Sequence, residues 1–201
     1  MEPTRDRRPP GFTRQQLESF RDGSVPDLVA PGVKLLLVGI NPGLWTAAAQ
    51  AHFAHPGNRF YKALHLAGIT DRVLDVRAGF DAASRAALLD RGVGITNLVN
   101  RATIRADELT AEELLKGGRR LQRTARKWQP AVVAVVGLTA YRTAFNRPRA
   151  QVGPQPDHVL GGAAVWAVPN PSGLNAHYGV AGLAALYRAA AEAAGITCER
   201  A

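Results

Sequence analysis

A single cysteine, Cys198, in 201 residues excludes an intrachain disulfide, an all-cysteine zinc site and an iron–sulfur cluster built from the chain's own thiolates. Long apolar runs are also missing. Segments such as 131–136 fall far short of the roughly 20 residues that a membrane span requires, so a soluble chain with no membrane partner is expected. Residues 1–11 carry Arg5, Arg7 and Arg8 with three prolines and no hydrophobic stretch after them, which predicts no secretory signal and a cytoplasmic location. Phosphate loops are incomplete. The chain has no G-x-x-x-x-G-K-[ST], and Gly92-x-Gly94 is followed by Asn97 where a dinucleotide fingerprint needs a third glycine, which disfavours a nucleotide-binding enzyme.

What is present suits one globular domain. Apolar residues make up 46% and charged residues 20%, enough to bury a sizeable core. Residues 1–24 read as a basic N-terminal extension able to stay disordered, loosest over 1–12, and 25–201 as the single domain. The balance is strongly basic: 25 Lys and Arg against 16 Asp and Glu, a formal +9. Between Arg101 and Arg149 eleven basic residues meet four acids, which concentrates +7 there. A polyanionic partner is indicated, although charge alone does not separate nucleic acid from an anionic membrane. In the same stretch Lys116, Arg119 or Arg120, Arg123 and Arg126 or Lys127 recur every three or four residues opposite Leu114, Leu121, Ala125 and Trp128. That spacing predicts a helix with one basic side. A solvated surface helix with acids at its start and bases at its end explains the pattern equally well.

Four short apolar runs, 33–40, 93–99, 131–137 and 163–168, lack strict alternation and read as strands buried on both faces. Helical patterns fall between and after them at 56–67, 81–91, 110–128, 138–145 and about 180–194. The alternation predicts an α/β fold: a mostly parallel sheet of about four strands, right-handed crossovers and helices on both faces. Residues 151–162, with Pro154, Pro156 and three glycines, read as a long exposed turn.

Ligands of such sheets bind beyond the carboxyl ends of the strands, so the loops there carry the functional reading. Gly39-Ile40-Asn41-Pro42-Gly43 follows the first strand directly. Its glycines and Asn-Pro pair form an abrupt turn poor in side chains, which something can approach closely. Taken singly, Asn41 is better explained by turn initiation before Pro42. Asn170-Pro171-Ser172-Gly173-Leu174 follows the last strand with the same design, a stiff loop with an apolar residue near its tip that could wedge between stacked bases, although taken alone Leu174 is better explained as a staple fixing entry into the final helix.

Together these loops, with Phe53-Ala54-His55-Pro56-Gly57-Asn58-Arg59-Phe60 and the intervening Asn97-Leu98-Val99-Asn100-Arg101 and Gly117-Gly118-Arg119, resemble the mismatch-specific uracil-DNA glycosylases. These are bacterial relatives of thymine-DNA glycosylase within the uracil-DNA glycosylase superfamily. The likeness spans roughly residues 26–192. It implies a three-layer α/β/α sandwich and hydrolysis of the bond joining a pyrimidine to deoxyribose, leaving an abasic site, without metal or cofactor. The implied partner is double-stranded DNA containing uracil or mismatches, bound by a monomer. By resemblance Asn41 positions the attacking water, Gly39 and Ile40 line the base pocket, and Phe53 stacks on the flipped base. Asn170 is a substrate-side motif position, and Ser172, Gly173 and Leu174 belong to the loop that enters the duplex.

Asn175-Ala176-His177-Tyr178 stands where relatives often carry an arginine that contacts the opposite strand, so His177 becomes a candidate DNA contact and a relaxed opposite-base requirement is expected. Arg101 and Arg119 are candidate phosphate contacts. Because a carboxamide does not take a proton at neutral pH, an aspartate such as Asp75, Asp81 or Asp90 is a candidate helper. Asp90, just before a strand, is expected at the wrong end of the sheet. The pair His52-x-x-His55 has metal-like spacing but no cysteine or carboxylate beside it, which disfavours a metal site. The rival reading is a DNA-binding module without catalysis.

Overall fold

The computed structural model describes residues 11–173 and 178–199. A five-stranded sheet forms the middle layer, in the order β2-β1-β3-β5-β4. Its strands are β1 (Leu35–Gly39), β2 (Val93–Asn97), β3 (Val132–Val136), β4 (Gly153–Leu160) and β5 (Ala163–Val168). β1 pairs in parallel with both β2 and β3, and β3 with β5. Every residue of β1, β2 and β3 is buried, as runs without alternation require.

Side chains alternate across β1 into two separate cores. Leu35 and Leu37 pack with helices α3 (Phe60–Leu66), α4 (Ala82–Leu89) and α7 (Val180–Ala193), through residues such as Leu64, Leu88 and Tyr187. Leu36 and Val38 pack with α5 (Ala111–Trp128) and α6 (Leu138–Ala144), through Leu114, Leu121 and Tyr141. A period of two along one strand thus fills both faces, which gives the three-layer α/β/α sandwich.

Two features depart from the sequence expectation. The sheet has five strands rather than about four, because 153–160, read as an exposed turn, is an antiparallel edge strand on β5. Pro154 and Pro156 are tolerated there because an edge leaves donors without a neighbour to meet. Gly161 and Gly162, both at positive φ (61° and 100°), close the two-residue turn into β5, as a tight hairpin demands. Residues 11–24, assigned to the extension, include a short helix, α1 (Arg14–Glu18), with a Thr13–Gln16 capping box. A second short helix, α2 (Leu44–Ala49), starts immediately after the first loop. None of the helices among the described residues is long and apolar enough to cross a membrane.

Candidate active site

From β1 the chain moves to β2 on one side, then crosses back to β3 on the other. Such a reversal opens a crevice at the carboxyl ends of the strands, and a cleft with a volume of about 570 Å³ lies there. That is within the roughly 300–1,000 Å³ of small-molecule sites. Asn41 follows β1, Asn97 ends β2, Val136 ends β3, and Asn170, Ser172 and Gly173 follow β5; all line the cleft. The two stiff loops therefore converge, although they are far apart in sequence. Leu174 and His177 lie outside the described residues.

Asn41 has a fixed amide. Its Nδ2 donates to Thr103 Oγ1 (2.7 Å), Arg101 O (2.9 Å) and Pro42 O (3.2 Å). Thr103 Oγ1 in turn donates to Arg105 O (2.7 Å), so it can only accept from Asn41. With every nitrogen contact on the protein side, the amide oxygen is left for the cleft as a hydrogen-bond acceptor.

Asn97 is aimed by a second chain of hydrogen bonds. Buried His52 has Nε2 3.0 Å from Pro26 O, and a carbonyl only accepts, so the ring proton sits on Nε2. Nδ1 is then an acceptor for Asn97 Nδ2 at 3.3 Å. Burial lowers the His52 pKa below its ordinary 6.5 and keeps the ring neutral. Asn97 Oδ1 consequently turns toward Gly39, where a Cβ would lie 2.4 Å from it and 3.2 Å from the edge of the Phe53 ring. Gly39 contributes space rather than surface. Ile40 lines the cleft itself.

Phe53 lines the cleft and stacks on Phe60, with ring centres 3.9 Å apart and planes at 16°. Its φ of +56° is a conformation that bulky residues rarely adopt, and such strain collects at working sites. Arg59 braces the other rim. Its guanidinium donates to Tyr178 O (2.8 Å) and Ser172 O, and its backbone N–H donates to Pro171 O (3.1 Å). Asn170 Oδ1 accepts from the Ser172 N–H (3.1 Å).

The basic candidates separate. Arg101 is engaged within the protein, with Nε to Glu113 at 2.7 Å and Nη1 to Asp22 at 3.0 Å. Its hydrogen bonds pull the Glu113 carboxyl down to about 2. Arg120, next to Arg119, donates to Asn97 O. Arg119 itself is exposed on α5, along a shallow groove with Lys116, Arg123 and residues 98–100.

No aspartate reaches the cleft among the described residues. Asp75 borders a neighbouring cavity behind Phe53 and His55, paired with Arg77 at 2.8 Å. Asp81 caps α4 through the Ser84 N–H. Asp90 is the exposed C-cap of α4, before the start of β2 and so at the opposite sheet edge. The sequence reading did not place Asn97 at the site with a role, nor Thr103, His55, Leu17 or Ile104, all of which line the cleft. Trp45 lines it too, its Nε1 donating to Arg77 O (3.1 Å). No group of three metal-ligand side chains occurs among the described residues.

Comparison with known proteins bears on this arrangement. A solved structure of a Methanosarcina acetivorans protein, assigned but not established as a uracil DNA glycosylase, superposes with a TM-score of 0.56 at 14% identity, over 84% of this chain and 97% of that one. That likeness concerns the fold. Residues 26–193 match the model of the uracil DNA glycosylase superfamily. A cleft at the sheet's switch point, faced by the asparagine of the first loop and the Asn-Pro-Ser-Gly turn of the last, is thus accompanied by a match over most of the sequence: the chain belongs to the uracil DNA glycosylase superfamily.

Proposed function

We propose that the protein is a monofunctional DNA glycosylase that acts on uracil, and on mispaired or damaged pyrimidines, in double-stranded DNA and leaves an abasic site. Supporting the reading most directly is the amide of Asn41, whose nitrogen is committed to three protein acceptors while its side chain lines the cleft.

A base within a duplex hides its anomeric carbon, so it must be turned out, and a mispaired base costs less to turn out. The everted pyrimidine would lie against Phe53, with Asn97 offering a carboxamide to its edge. Asn41 Oδ1 would accept a hydrogen bond from a water and hold it against the anomeric carbon. As the glycosidic bond breaks, the electron pair leaves with the base and positive charge grows on the sugar. Water then adds to that carbon, and its proton passes to the departed base anion, directly or through solvent. An asparagine orients this water without taking the proton. With no carboxylate lining the cleft among the described residues, catalysis is slow and limited to good leaving groups such as uracil.

Ser172 and Gly173 would approach the backbone of the opened strand, followed in the chain by Leu174 as the wedge. His177 is a candidate contact to the opposite strand, and an imidazole in place of an arginine supports tolerance of different opposing bases. Arg119, on its exposed groove, suits a phosphate. Arg101 braces the loop that aims Asn41.

Labelled duplexes carrying uracil opposite guanine, uracil opposite adenine, thymine opposite guanine, and single-stranded uracil DNA, treated with alkali after incubation, test the reading. Strand breaks are expected at uracil in all contexts. Asn41→Ala is expected to lose about 10²–10⁴-fold in single-turnover rate while still binding the duplex. Equal rates for the two proteins would overturn the assignment.

A further inference from the structure

Residues 11–24 precede the segment 26–193 that carries the family match, yet they are built into the rim of the cleft. Leu17, on α1, lines the cleft beside Leu44 and Ile104. Phe12 packs edge-on against Trp45, ring centres 5.0 Å apart. Phe20 joins Leu44 against a small separate core of Val25, Ala47 and Ala102.

The polar contacts are as specific. The Asp22 N–H donates to Ala102 O (2.9 Å), and the Ala102 N–H returns a bond to Gly23 O (2.8 Å). Arg21 pairs with Glu108 at 2.9 Å, and Asp22 with Arg101 at 3.0 Å. Gln50, at the end of α2, donates to Ser24 O (3.0 Å). The arm therefore ties α2, which begins next to Asn41, to the segment 100–108. That segment supplies Arg101 O and Thr103 Oγ1, two of the three acceptors that hold the Asn41 amide.

We propose that the N-terminal arm is a working part of the active site, with Leu17 as a positioning residue that closes the apolar side of the cleft over the everted nucleotide. This rests on the glycosylase reading above. An apolar wall excludes water beside the departing base, where charge develops, and limits the poses the nucleotide can take. Leu17 is half-exposed on a five-residue helix, so its replacement leaves both main cores untouched.

The test compares Leu17→Met, Leu17→Ala and Leu17→Glu in the full chain. Single-turnover excision from a uracil duplex, half-saturation in that assay, affinity for an undamaged duplex and thermal unfolding are measured for each. Excision is expected to fall about threefold for alanine and about tenfold or more for glutamate, and to stay within about twofold for methionine. The loss should appear in rate or half-saturation on uracil DNA, with affinity for undamaged DNA and unfolding temperature unchanged. Alanine and glutamate variants that cut like the wild type would overturn the proposal, as would losses matched by equal drops in unfolding temperature or in undamaged-DNA affinity. If the wild-type protein itself releases no uracil, the glycosylase reading fails first, and the arm proposal with it; failure of the arm proposal alone leaves wild-type excision intact.

Discussion

An asparagine side chain presents two chemically opposite ends, and which end faces the cleft depends on its neighbours. At Asn41 the decision is made by Thr103 and by the Arg101 and Pro42 carbonyls, all acceptors toward its nitrogen. Thr103→Val keeps the shape of the side chain but removes its oxygen, the nearest of the three acceptors, leaving the two N–H groups of Asn41 only the longer contacts to Arg101 O and Pro42 O and the amide freer to turn. Such a variant is expected to lose about tenfold in single-turnover excision, the equivalent of roughly 1.4 kcal/mol, with little change in half-saturation. An unaltered rate would show that Thr103 does not aim the amide. The sequence made Asn41 conspicuous because Gly-x-Asn-Pro-Gly is an odd way to leave a strand. It gave no such notice of Thr103, 62 residues away and of an ordinary type.

Among the elements, α5 shows how close packing writes itself into residue choice. Gly117 and Gly118 sit mid-helix, where glycine costs about 1 kcal/mol relative to alanine. A Cβ on Gly117 would lie 2.5 Å from Leu98 O, and one on Gly118 2.5 Å from Ala144 O. The two glycines let α5 approach the loop after β2 on one side and α6 on the other. Gly117→Ala is therefore expected to destabilise by about 1–3 kcal/mol, as overpacking does, despite the better helix former. Chemical denaturation checks this, and an unchanged midpoint would mean that the helix can shift at no cost. The period of apolar and basic residues made α5 legible in the sequence, and its Thr110–Glu113 capping box fixes its start. Arg120 was counted with the basic face, yet it reaches back to Asn97 O; periodicity assigns a residue to a side of the helix, not to a partner. The strand β4 was illegible for a related reason. Two prolines and a glycine read locally as a turn, and only the neighbouring β5 supplies the ladder that makes them an edge.

At the scale of the molecule, two histidines link the fold to pH. Burial holds His52 below its ordinary pKa of 6.5. Burial and the nearby Arg147 hold His158 at about 4, where its Nδ1 faces the Tyr141 hydroxyl at 2.7 Å. A histidine depressed on folding stabilises the protein fully above pH 6.5, and that stabilisation drains away as pH falls toward the folded value. Glu113, depressed to about 2 by Arg101, adds a second loss between its ordinary 4.5 and about 2. The unfolding temperature should therefore begin to fall below about pH 6.5 and fall further below about 4.5. A temperature that stays level from pH 7 to 4 would contradict the histidine assignments. The amino-acid sequence by itself determined the alternation of strand and helix, the basic charge and the two stiff loops, because each depends on residues within a few positions of one another. Only the tertiary structure decided that these loops share a cleft, that Asn97 and Thr103 belong to it, that Arg101 is paired with Glu113 and Asp22, and that Leu17 of the N-terminal arm lines it. Those outcomes depend on which strands become neighbours and where the sheet reverses direction, and contacts between segments tens of residues apart leave no periodic trace in the chain.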